Sequence, residues 1–63
     1  MFSDSQIHEI CKLLQENPSM PIKDILNKLN ITYNDSNITK YRNTISAIRN
    51  KRKYIYISEN YSF

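Results

Sequence analysis

Apolar residues recur along this chain with helical spacing in three separate stretches. Ile7, Ile10, Cys11 and Leu14 stand at i, i+3, i+4 and i+7, one complete stripe, and Leu13 widens it. Glu9, Lys12, Gln15 and Glu16 take the wet side. Asp4 or Ser5 can cap this first helix with a side-chain oxygen, and Pro18 ends it by pushing Asn17 out of the helical region. Ile22, Ile25, Leu26 and Leu29 repeat the stripe. Pro21 suits the first position of that second helix, where its missing N–H is harmless. Asn30 then falls where a helix closes on a left-handed residue, and Ile31 can fold back as an apolar plug. Ile38, Tyr41, Ile45 and Ile48 mark the inner face of a third helix, with Asp35 or Ser36 as its expected cap.

Beyond Asn50 the pattern changes. Tyr54-Ile55-Tyr56-Ile57 is β-branched and aromatic, which predicts an extended segment with the two tyrosines on one side and the two isoleucines on the other. Tyr61 and Phe63 are placed to close over the open end of the helices. The expected architecture is all-α: a single three-helix domain over 1–63 of the helix-turn-helix kind. Its helices run over about 5–17, 21–29 and 37–50, and a short extended basic tail covers 53–58.

Length and composition narrow the picture. A chain of 63 residues is near the lower limit for burying a useful core without staples. A hydrophobic content of 40% still favours a folded domain over a disordered one. One cysteine, Cys11, excludes an internal disulfide and fits a reducing compartment. His8 and Cys11 share a face at i, i+3, but zinc takes about four ligands and no second pair exists, so no metal or cofactor is expected. No run approaches the roughly 18 apolar residues of a membrane span, and the N-terminus lacks a secretory pattern. These features predict a soluble intracellular protein, in the cytoplasm of its cell.

Charge is where the chain becomes specific. Residues 1–36 carry three lysines against five carboxylates, −2; residues 37–63 carry six cations against Glu59 alone, +5. Such asymmetry points a polyanion at the second half. Projecting the third helix at about 100° per residue puts Thr39, Asn43, Ser46 and Asn50 opposite its apolar side. Lys40 and Ala47 lie on one flank, Arg42 and Arg49 on the other, and no carboxylate occurs from Asn37 to Ser58. Thr39, Asn43, Ser46 and Asn50 are therefore the candidate base-reading residues, Asn43 by a paired contact with adenine. Lys40, Arg42, Arg49, Lys51, Arg52 and Lys53 are the candidate phosphate contacts. With about four to six of them engaged, log affinity should fall with log salt at a slope near −4 to −5.

A resemblance accompanies these residues. Lys28-Leu29-Asn30-Ile31-Thr32, then Ile45-Ser46-Ala47-Ile48-Arg49-Asn50-Lys51, then Tyr54 through Ser58 resemble the small helix-turn-helix domains of bacteriophages. Such domains stand alone as regulators or form the C-terminal part of phage HNH homing endonucleases. Asn30 and Asn50 stand where those domains usually carry glycine, and Thr32 to Tyr41 is longer than their pattern. The resemblance implies DNA binding beside a separate nuclease domain, whose signature this chain lacks.

Catalysis is not expected: there is no Ser/His/Asp set and no glycine-rich phosphate loop, and 63 residues can scarcely enclose a concave site. The expected partner is double-stranded DNA, with no membrane, and selectivity in so small a module calls for a homodimer or a tethered second domain. Two other partners suit the same basic face. One is an acidic protein, met by a small adaptor or inhibitor, and the other is a structured RNA.

Overall fold

A computed structural model describes residues 2–63. Four helices follow one another: α1 (Asp4–Glu16), α2 (Ile22–Lys28), α3 (Ile38–Arg49) and the single turn α4 (Ile55–Ser58), with no strand among the described residues. The fold is all-α. No helix among the described residues is long and apolar enough to cross a membrane.

The α1 stripe is the keel of the core: Ile7, Ile10, Cys11 and Leu14 are fully buried. Its cap is Ser3, one residue ahead of the expected Asp4 or Ser5. The reason is Gln6, which completes a capping box: Gln6 N–H donates to Ser3 Oγ at 3.2 Å, and Ser3 N–H donates to Gln6 Oε1 at 2.9 Å. Asp4 is thereby moved into the first turn, where the helix dipole favours a carboxylate. At the far end Asn17 leaves the helical region ahead of Pro18, with φ −147° and ψ 89°. The connector returns inward at Met20, which is buried.

Pro21 caps α2 instead of opening it, since its carbonyl accepts the first helical bond, from Ile25 N–H at 3.1 Å. Ile25 and Leu26 are fully buried. Asn30 adopts the expected left-handed conformation, φ 58°. Around it Ile31 N–H donates to Leu26 O (3.0 Å) and Asn30 N–H to Asn27 O (3.1 Å), the two bonds of a Schellman motif. Ile31, the residue after the left-handed position, packs on the core as the motif requires.

The α2–α3 connection occupies residues 29–37, well beyond the roughly three or four residues of a helix-turn-helix turn. Its end is organised by two asparagines. Asn34 Oδ1 accepts from Ser36 and Asn37 N–H (2.8 and 3.0 Å), while Asn37 Oδ1 accepts from Asn34 N–H at 2.7 Å. The N-cap of α3 is Asn37, which makes no side-chain cap bond, so neither Asp35 nor Ser36 caps the helix as expected; Asn34 instead closes the turn just ahead of it. The α3 helix buries Ile45 and Ile48 completely and Thr44 nearly so, the Thr44 hydroxyl donating to Lys40 O at 3.0 Å. Phe2 closes over Tyr41, ring centroids 5.6 Å apart.

The C-terminal segment overturns the extended tail expected over 53–58. A second Schellman motif ends α3, with Lys51 N–H on Ile48 O (2.9 Å) and Arg52 N–H on Ala47 O (2.8 Å). The left-handed residue there is Lys51, φ 56°, while Asn50 keeps a negative φ. Tyr54, also left-handed, then starts α4. Ile57 and Ser58 are both buried, and Tyr54 and Tyr61 are half-buried. The spacing 54, 57, 58, 61 is a helical stripe, whereas a strand would have alternated. With no strand among the described residues to pair with, the segment satisfies its backbone by coiling and docks on α1. Three polar contacts run along that seam: Tyr56 OH donates to Asp4 Oδ1 (3.2 Å), His8 Nδ1 meets Tyr61 OH (2.8 Å), and Ser62 N–H donates to Gln15 Oε1 (2.9 Å).

Candidate nucleic-acid interface

With Ile45 and Ile48 fixed in the core, the opposite side of α3 must face water. Thr39, Asn43 and Ser46 are all exposed, and so is Asn50 at the C-cap. Among the described residues none of the four side chains has a hydrogen-bond partner, so their donors and acceptors are uncommitted. No acidic residue occupies the first turn of α3. The ridge is therefore polar, uncharged and outward-facing, on a helix whose orientation is held by two fully buried isoleucines.

The six candidate phosphate contacts divide into two groups. Lys40, Arg42, Arg52 and Lys53 are exposed and have no side-chain partner among the described residues. Arg49 is different. It is half-buried, its Nη2 donates to Met20 O at 2.8 Å, and its Nε is buried without a hydrogen bond. That side chain ties the α1–α2 connector to the end of α3. Lys51 donates from Nζ to Tyr61 O at 3.0 Å and stands 5.0 Å from the centre of the Phe63 ring, a cation–π contact that pins the C-terminal residues. Two of the six cations thus have work inside the fold.

Sequence reasoning missed Lys23. This exposed lysine in the first turn of α2 lines one hollow together with Arg42 of α3. The two lie far apart in the chain, and no local pattern links them.

Cys11 and His8, adjacent on α1, do not form a joint site. Cys11 is buried, and burial pushes its thiol pKa up while the Lys51 charge pulls the other way. A protonated, enclosed thiol is a poor ligand and a poor nucleophile. His8 is turned toward Tyr61. Among the described residues no group of three or more His, Cys, Asp or Glu side chains could hold a metal ion.

No known protein family, curated protein or solved structure matches the chain.

Proposed function

We propose that the chain binds double-stranded DNA by laying the outward face of α3 in the major groove, and that it acts by binding alone. The observation that carries this is the ridge Thr39–Asn43–Ser46: exposed, uncommitted, free of carboxylates and flanked by Lys40 and Arg42. A major groove admits one helix, its floor offers donors and acceptors, and its walls are phosphate. Hydroxyl and amide groups along the ridge suit the floor, and flanking cations suit the walls. The α2–α3 unit would serve as a helix-turn-helix with a lengthened connection, in a phage or mobile-element regulator or the targeting piece of a larger protein. Its setting would be the cytoplasm, where DNA is reached directly.

The test is an anisotropy titration against random-sequence duplex DNA at several salt concentrations. The four free cations Lys40, Arg42, Arg52 and Lys53 contribute about −3 to −4 to the log–log slope, less than all six would give. Absence of binding even at about 50 mM salt would remove the proposal. Asn43→Ala should lower discrimination at one base pair by about 1–3 kcal/mol while leaving affinity for random DNA within twofold. Selection from a randomised duplex pool reads this out, and unchanged preferences would show that Asn43 does not touch bases.

A second reading has its own observation. Ile55 and Tyr56 are 50% and 61% exposed on α4, close in sequence to Arg52 and Lys53. Apolar and cationic groups so placed suit an acidic protein partner, as in an adaptor or inhibitor. Failure to bind DNA at low salt would favour it.

A further inference from the structure

The hollow shared by α2 and α3 has a volume of about 280 Å³ and is lined by Lys23, Tyr33, Asn34, Asp35, Ile38 and Arg42. We propose that it seats a DNA backbone phosphate between Lys23 and Arg42, extending the contact surface from α3 across to α2. This rests on the DNA-binding proposal and adds to it a residue, Lys23, from the acidic half of the chain.

Three observations support the seat. Lys23 and Arg42 come from different helices, and neither has a partner among the described residues, so both charges are available. They outnumber the one carboxylate on the rim, Asp35. A guanidinium can grip a phosphate with two parallel N–H bonds while an ammonium adds a point charge from the other wall. Next, part of the lining is preorganised. Asn34 and Asn37 lock residues 34–37 through reciprocal side-chain bonds, so little ordering is needed on binding. Finally, at about 280 Å³ the hollow has room for a phosphate group.

Its position matters as much as its charge. Arg42 stands one helical turn from both Thr39 and Ser46. A phosphate held there lies beside the ridge, and the strand carrying it would run along the α2–α3 seam. Tyr33, Asn34 and Asp35 belong to the connection that exceeds an ordinary helix-turn-helix turn, so a shorter turn would leave this hollow without half of its lining.

The test compares the salt dependence of random-duplex binding for the whole protein and for Lys23→Gln, Arg42→Gln and the pair. Lys12→Gln, on the exposed side of α1, serves as the control. Each seat variant should make the slope shallower by about 0.9, and the pair by about 1.8, equally for any DNA sequence. Lys12→Gln should leave it unchanged. If Lys23→Gln behaves like Lys12→Gln while Arg42→Gln still loses slope, the seat is overturned and DNA binding by α3 stands. If Lys23→Gln weakens binding without altering the slope, the seat is equally overturned, because no phosphate contact was lost. If the unaltered protein binds no duplex at low salt, the seat and the DNA proposal fall together.

Discussion

Ile45→Ala is expected to remove about 2–5 kcal/mol from the stability of the fold. Ile45 is fully buried on α3, so truncation takes away its burial and leaves a void that surrounding helices fill only in part. At the usual stability per residue, a chain of 63 residues has roughly 3–9 kcal/mol in total. From about a fifth to all of that margin would go, and a thermal melt followed by far-UV circular dichroism should show a large drop in Tm or a chain already unfolded at room temperature. DNA binding should fail in parallel, since Asn43 and Ser46 are presented by the same helix. A loss below about 0.5 kcal/mol would mean that α3 does not pack as described, because surface positions give changes of that size.

The other large effect concerns charge. Reversing Lys40 and Arg42 together, Lys40→Glu with Arg42→Glu, replaces two neutralising contacts by two repulsive ones beside the ridge. Counterion release contributes nearly a factor of ten per contact at about 0.1 M salt, so affinity for random duplex should drop roughly a thousandfold or more. Both side chains are exposed and without a partner among the described residues, and the melt should therefore stay close to that of the unaltered protein. Arg49→Met should give the opposite profile. The Met20 carbonyl would lose a charge-assisted bond, and Tm should fall by several degrees, at about 4–8 °C per kcal/mol for a domain this small. The salt slope should hardly change. If Arg49→Met flattened the slope as much as a single substitution at Lys40, Arg49 would be facing phosphate instead of the connector.

These contrasts show what a sequence of this kind discloses and what it withholds. The three longer helices follow from apolar spacing, and Asn30 follows from its place after a stripe, because both are encoded within a few residues. Exposure of Thr39, Asn43 and Ser46 is the other side of that periodicity. The fourth helix had a local signal too, in the spacing of Tyr54, Ile57, Ser58 and Tyr61, but β-branched and aromatic residues gave it a strand's composition. What decides between them is α1, which offers Asp4, His8 and Gln15 along one side for the segment to bind. Tertiary docking overrides propensity here. Positive φ at Lys51 and Tyr54 was illegible for a simpler reason, since neither residue type favours that region. Phe2 and Met20 join the core from outside any stripe, so no periodicity could include them.

The candidate site divides along the same line. Which cations exist, and on which helix, is written in the chain. Which of them are free is not. Arg49 reaches back to Met20 and Lys51 forward to Tyr61 and Phe63, while Lys23 approaches Arg42 only after α2 folds against α3. The cationic surface consequently lies nearer the start of α3 than the cluster Arg49–Lys53 suggests.

Amide chemical-shift mapping of the whole protein titrated with duplex DNA addresses the main claim most directly. The largest changes should fall on Thr39, Arg42, Asn43 and Ser46, with Glu9, Lys12 and Glu16 on the far side of α1 unmoved. Changes concentrated on Ile55, Tyr56 and α1, with the α3 ridge silent, would show that this helix face is not what the protein binds with.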